Sequence, residues 1–258
     1  MINKKYIELL RSRKRSRENN FIYKIIAKRI IDSLDVLNLK ISNVLEIGIN
    51  NNKVNDYLKH RFFSLNIDRI DFFSSEKNKA YESNFLETDF EDSKIKKNHY
   101  DFIYSNCLLY LVSDFEKTLK FIFENLNTNG IFICVIPDKQ NMFQLANSMY
   151  ESDQLIYDGI FQRFNPTFEI NNILSILKKL NYDAPSIHCD TINISYSKFQ
   201  VLLNDIRLMG LSYCHKDKKQ KFEKKSYFET VEYFYRKNYF KEKFLLDIKI
   251  NIVTAWKK

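Results

Sequence analysis

A chain of 258 residues, 45% hydrophobic and 28% charged, is long enough for one large or two small domains with a proper core, and its composition is globular rather than disordered. The net charge of +9 invites an acidic partner, but lysines and arginines are spread along the chain as well as clustered at Arg11 to Arg17. They read mostly as solvated faces, with no strong nucleic-acid signal, and the absence of an apolar run near ~18 residues speaks against an integral membrane protein.

Residues 5–17 are expected to form a basic helical lead-in. From Phe21 the apolar positions Ile22, Ile25, Ile26, Ile30, Leu34 and Leu37 recur at helical spacing and predict a long amphipathic helix. Val44, Leu45, Ile47 and Ile49 then form a short apolar run of the kind buried in a parallel sheet. Glu46 interrupts it, Gly48 ends it, and three asparagines lead into a helix through about His60. Ile67 to Phe73 reads as a second strand ending in Ser74, Ser75 and Glu76. Phe85 to Thr88 reads as a third, closed by Asp89 and Phe90. Tyr100 to Ser105 is the fourth, followed by Asn106.

Phe115, Leu119, Ile122, Phe123 and Leu126 mark the next helix. Asn129-Gly130 is expected to turn into IFICVI, a fully apolar fifth strand stopped by Pro137. Helices follow over 140–157 and from Ile170 to Leu180, then a sixth strand from Ser186 to Ser195. Two more helices, Phe199 to Met209 and about Phe228 to Phe240, flank the lysine-rich loop Lys216 to Lys225. Phe244 to Trp256, with I-x-I-x-I alternation, is the seventh strand.

Strands alternating with helices predict an α/β fold: a seven-stranded, mostly parallel, doubly wound sheet with helices on both faces. Without internal repeats or a Pro/Gly/Ser linker, residues 1–258 read as a single domain. Its parts are N-terminal helices over 1–40, a first half over 41–137, and a second half over 138–258 with a helical insertion at about 197–243.

Glycine is scarce, four in the whole chain against an average usage of roughly 7%. Asparagine is the next residue best able to visit left-handed conformations, so a glycine required by a motif is open to replacement by Asn here. The four cysteines Cys107, Cys134, Cys189 and Cys214 are far apart and form no C-x-x-C pair, which suits a reduced, intracellular setting. The basic start looks like an organelle transit peptide and equally like a basic helix of the mature protein.

In an open parallel sheet, ligands sit beyond the carboxyl ends of the strands, near the point where strand order reverses. The residues at those ends are Glu46, Gly48, Ile49 and Asn50 after strand one, Ser74 after strand two, Asp89 and Phe90 after strand three, and Ser105 and Asn106 after strand four. Singly each reads as loop polarity. As an ordered series they predict an adenosine-shaped pocket, in which Asp89 accepts from an exocyclic amine, Phe90 covers the ring and the strand-one turn holds a charged tail.

With Glu-x-Gly after strand one, Asp-Phe after strand three and YDFIYS as strand four, the chain resembles class I S-adenosylmethionine-dependent methyltransferases, type 11-like. More narrowly it resembles the branch that holds the malonyl-acyl-carrier-protein methyltransferase of biotin synthesis and the mitochondrial complex I assembly factor with a methyltransferase domain. RSRKRSRENNFIYKIIAKRIIDSL is similar to that branch's basic N-terminal helix. NDIRLMG, Asn204 to Gly210, is similar to its D-L-R-x-M-G segment, and IKINIVTAWKK to its closing strand. Asn50 stands where the family has a second glycine, and Ser74 or Ser75 where it tends to place an acid.

The resemblance implies a Rossmann-like methyltransferase fold and S-adenosyl-L-methionine as cofactor, held by the nine strand-end residues named above. It also implies methyl transfer to a small-molecule or protein acceptor, with Tyr110 on the substrate side. The cofactor brings the reactive methyl group, so no dedicated acid or base is required. Resemblance to the assembly factor implies an alternative: action on a respiratory complex I subunit by arginine hydroxylation. The location implied is the cytoplasm of a bacterium, or the mitochondrial matrix of a eukaryote. A non-catalytic binding module that has kept only the scaffold is the third reading. His188-Cys189-Asp190 spells the H-x-D of an iron site, and Cys214-His215 and Cys107 offer thiols, but each is read as a strand or loop residue, with no metal. The lysine run reads as a solvated loop.

Overall fold

The computed structural model describes residues 3, 6, 20–48, 51–71, 85–87, 97–209, 212–216 and 223–258. The basic lead-in at 5–17 lies almost wholly outside them, as do Ile49, Asn50, Ser74, Asp89 and Phe90.

Helix α1, Phe21–Asp35, starts where Asn20 accepts hydrogen bonds from the N–H groups of Ile22 and Tyr23, satisfying two of the donors a helix start leaves open. Its apolar stripe, Ile22, Tyr23, Ile26, Ala27, Ile30 and Leu34, is buried against the sheet. Strand β1 is Asn43–Ile47, α2 Lys53–Arg61, β2 Asn66–Asp71, β3 Phe85–Glu87 and β4 Tyr100–Asn106. A 3₁₀ turn at Leu109–Leu111 leads to α3, Phe115–Asn125, capped by Asp114. Then come β5 Leu126–Pro137, α4 Phe143–Tyr157, α5 Ile170–Lys179, β6 Asp183–Tyr196, α6 Phe199–Leu208 and α7 Lys225–Tyr239. The two-residue β7, Phe240–Lys241, and β8, Lys243–Trp256, complete the described chain. None of its helices is long and apolar enough to cross a membrane.

The sheet runs β3-β2-β1-β4-β5-β8-β6, with β7 paired to β8. Strands β1 to β5 pair in parallel, whereas β8 is antiparallel to both β5 and β6, so the sheet is mixed. It has eight strands rather than seven because Glu242, at φ 62, turns Phe240–Lys241 back onto the start of β8. Asn129-Gly130 is also not a turn into a strand. Strand β5 begins at Leu126 and runs through both residues, with a register break between Tyr100 and Phe102 that accommodates Asn129 at φ 65.

Alternate residues of the central strands supply two cores. Phe102, Tyr104, Ile131, Ile133 and Val135 pack with α1, α2, α4, α6 and α7. Ile103, Phe132, Cys134 and Ile136 pack with α3 and α5 on the other face. Strand order runs outward in both directions from β1 and β4, which puts the crevice for a ligand at the carboxyl ends of those two strands.

Candidate functional site

The turn after β1 is held by a buried polar network. Glu46 points inward: its Oε2 accepts from Arg69 Nε at 2.5 Å and from Asn55 Nδ2 at 2.8 Å. Arg69 and Glu46 are 4% and 2% exposed as side chains. Arg69 also donates to Asn52 Oδ1 at 3.0 Å, and Tyr104 donates to Asn55 Oδ1 at 2.9 Å. One guanidinium on β2 thus joins the acid of β1 to the asparagine turn. In this arrangement Glu46 fixes the shape of the turn, its described hydrogen bonds all going to protein donors.

Gly48 has φ +87, a conformation that L side chains rarely adopt. Its N–H donates to Ile70 O at 2.7 Å. A Cβ there would lie 2.6 Å from Leu108 Cδ2, so the glycine lets the segment after β4 close over the β1 turn. At the same end of the sheet, Asn51 Nδ2 and Ser105 Oγ are among the buried polar atoms that have no hydrogen-bond partner among the described residues. A buried polar atom left this way is costly unless a ligand or water satisfies it. Asn106 turns to the other face, where its Nδ2 donates to Tyr23 O at 3.4 Å.

Beside this end of the sheet lies a cavity of about 240 Å³ between the tips of β4 and β5, the middle of β8 and the helices α1, α4, α6 and α7. Cys107 and Tyr110, which follow β4, form part of its wall, and this is where the structure places Tyr110. Burial pushes the Tyr110 hydroxyl well above its ordinary pKa, with Tyr23 and Cys107 adding to the effect, and pushes the Cys107 thiol up to about 12. Asn165, also in the wall, pins the segment that closes one side: its Nδ2 donates to Ser212 O, and its Oδ1 accepts from the Cys214 N–H at 2.9 Å.

Sequence reasoning missed most of this cavity. Arg163, in its wall, is held by Asp153 through Nε at 2.9 Å and by Glu223 at 2.6 Å, with Tyr227 under its guanidinium at 4.7 Å. Asp153 is fully buried, so this is a paired charge at the base of the α4 to α5 connection. The signals that could have found the cavity were NDIRLMG, whose Ile206, Arg207 and Met209 line it, and the methionines: three of the four in the chain line it.

The other sequence candidates are dispersed. His188 is exposed on the edge strand β6, while Asp190 binds Arg29 of α1 at 2.6 Å. Among the described residues no group of three or more His, Cys, Asp or Glu is placed to hold a metal ion. Cys214 is buried against Asn165, and His215 stacks on Tyr213.

Residues 12–184 match a family described as "Methyltransferase domain". An arginine-hydroxylase, NDUFAF5, mitochondrial, of Dictyostelium discoideum is 24% identical over 214 residues, covering 74% of this chain and 49% of that one. A malonyl-[acyl-carrier protein] O-methyltransferase of Coxiella burnetii is 20% identical over 195 residues, covering 76% and 66%. The chain therefore spans between half and two thirds of the length of these curated relatives. The YcgJ protein of Bacillus subtilis superposes with a TM-score of 0.59 at 11% identity, over 91% of this chain and 99% of that one, a likeness of fold. With its α/β methyltransferase fold and a match over about two thirds of its length, the chain belongs to the methyltransferase-domain family.

Proposed function

We propose that the chain is an S-adenosyl-L-methionine-dependent methyltransferase whose acceptor, a small molecule or a group on a protein, occupies the 240 Å³ cavity. The observation that carries the reading is the adjacency of two features at one end of the sheet. The β1 turn, with its unsatisfied Asn51 Nδ2 and Ser105 Oγ, lies on one side of the β4 tip, and the cavity lies on the other. The residues present fit a polar cofactor at the turn. Asn51 and Ser105 would hydrogen-bond to it, with Gly48, Ile49, Asn50, Ser74, Asp89 and Phe90 completing the site and Glu46 acting through Arg69 to keep the turn in place; Asn106, turned toward Tyr23, is left out of it. Bound there, S-adenosyl-L-methionine supplies an electrophilic methyl group on a sulfonium sulfur.

The chain's own residues then position the acceptor and exclude water. Tyr110 and Cys107 face the cavity, and burial raises both pKa values further above neutral pH, so neither group is readily deprotonated. They serve as a hydrogen-bond donor and a packing surface rather than as bases, and the rate advantage comes from alignment of the acceptor. Isothermal titration with S-adenosylmethionine and S-adenosylhomocysteine tests the proposal. Saturable heat and a raised melting temperature are expected, and neither heat nor thermal shift with either compound would overturn it.

A second reading rests on the arginine-hydroxylase relative: action on an arginine of a partner protein, a respiratory complex I subunit, in the mitochondrial matrix of a eukaryote or the cytoplasm of a bacterium. Mass spectrometry of complex I subunits with and without this gene tests it. An arginine modified only when the gene is present is expected, and unchanged subunits in a normally assembled complex would rule it out.

A further inference from the structure

Three cations line the cavity, Lys139, Arg163 and Arg207, against one carboxylate, Asp138. Two of the three cations are paired with carboxylates, and Asp138 is hydrogen-bonded to neutral donors. Lys139 binds Glu169, Arg163 binds Asp153 and Glu223, and Asp138 accepts from Asn251 at 3.1 Å and from the Gln140 N–H at 2.9 Å. Arg207 differs: it has no carboxylate partner among the described residues. Its contacts are Asn204 Oδ1 at 3.5 Å and the face of Phe228 at 5.3 Å, and Phe228 also lines the cavity.

The rest of the wall is mostly apolar, with Ile26, Leu145, Leu203 and Ile250 buried and Met142 and Met149 able to repack around different shapes. Arg207 and Lys139 are exposed and mark the mouth, whereas Cys107 and Tyr110 are buried and mark the inner end. At roughly 30 Å³ for each water-sized group, the space holds about eight heavy atoms.

We infer that the cavity takes an amphiphilic acceptor: an apolar body of about eight heavy atoms, with an anionic group against Arg207 at the mouth. The anion is the recognition handle. The group that reacts is at the opposite end of the molecule, against Cys107 and Tyr110 and beside the β4 tip, and this last step rests on the methyl-transfer reading.

Equilibrium binding of octanoate, octan-1-ol and octylamine to the full chain tests the inference, with S-adenosylhomocysteine binding measured in parallel. Octanoate is expected to bind at least tenfold more tightly than the alcohol or the amine. Arg207→Gln, an exposed position that leaves the core untouched, is expected to erase that preference without changing the affinity for octan-1-ol. Leu203→Trp, which fills the space, is expected to abolish binding of all three, with thermal melts confirming that both variants are folded. Octanoate binding no tighter than octan-1-ol, or a preference that survives Arg207→Gln, overturns the inference. Loss of the octanoate preference with S-adenosylhomocysteine still bound removes this inference alone. Octanoate bound as expected with no S-adenosylhomocysteine binding keeps the anionic site and removes the methyl-transfer reading instead.

Discussion

Replacing Glu46 by Gln removes one charge of a pair that is almost wholly buried while leaving the side-chain volume nearly unchanged. Arg69, 4% exposed, then keeps its positive charge with the 2.5 Å carboxylate contact gone. Removing one partner of a buried pair costs about 3–5 kcal/mol, because the remaining charge stays desolvated. For a chain of this size, each kcal/mol moves the melting temperature by roughly 2–4 °C, so a fall of about 6–20 °C is expected. Glu46→Leu combined with Arg69→Met removes both charges and should recover most of that loss. Differential scanning calorimetry of the wild type, Glu46→Leu, Arg69→Met and the double variant forms a complete cycle, with Glu46→Gln measured beside it as the isosteric change. A Glu46→Gln protein melting within about 2 °C of wild type would refute the reasoning, as would a double variant less stable than the worse single one. The double variant has a further use: Arg69 also holds Asn52, so a stable double variant with weakened S-adenosylhomocysteine binding would identify the pair as the support of the cofactor turn.

Gly48→Ala should destabilise on two counts, roughly 1–2 kcal/mol for a positive φ and a further ~1–3 kcal/mol for the overlap with Leu108. Denaturant titration against Leu108→Ala and the double variant measures the share of the overlap made by Leu108 Cγ and Cδ2, since the double relieves that share and keeps both the positive φ and the contact with the Leu108 Cβ at 2.8 Å. With a thiol-specific reagent near pH 8, the exposed Cys189 is expected to react first, and Cys107, held up to about 12 by burial, far more slowly. Mass mapping of the labelled cysteine checks this. Tyr104, Tyr110 and Tyr182 are all raised above the ordinary tyrosine value by burial. Above pH 10 the folded chain therefore binds more protons than the unfolded one. The buried thiols Cys107 and Cys134 are raised likewise, so stability should be level up to about pH 9, begin to fall as those thiols ionise in the unfolded chain, and fall further above pH 10, by about 1.4 kcal/mol per pH unit for each such tyrosine. Tyrosinate absorbance is expected to rise in two phases, exposed rings first and buried rings only with unfolding.

Elements built on a repeating pattern were legible in the sequence. The stripe from Ile22 to Leu34 gives α1 because burial of one helix face selects that spacing, and the alternation from Phe244 to Trp256 gives β8 for the corresponding reason in a strand. The Asn129-Gly130 pair misled because a left-handed residue serves a bulge as well as a turn, and only the partner strand decides which. The direction in which Glu46 points was harder to foresee, since its partner is 23 positions away, yet a signal existed. Asp68, Arg69 and Asp71 alternate with Ile67 and Ile70 on a strand that is buried beyond Asn66, and a charge on a buried parallel strand demands a partner. The cavity was least legible: its wall is assembled from separate segments between Ile26 and Ile250, none of which carries a motif of its own apart from Asn204 to Gly210.

The position of β8 has a consequence for how the chain is made. The strand that joins β5 to β6 is translated after both, about 120 residues beyond the end of β5. At ~5–20 residues per second, a ribosome needs roughly 6–24 s to deliver it. During that interval the nascent chain carries IFICVI with one edge unpaired, a run with high strand propensity and no charge. Strand β5, interior to the finished sheet, is thus the stretch most in need of protection during synthesis, and nonsense or frameshift mutations just before Lys243 should yield insoluble rather than merely shortened protein.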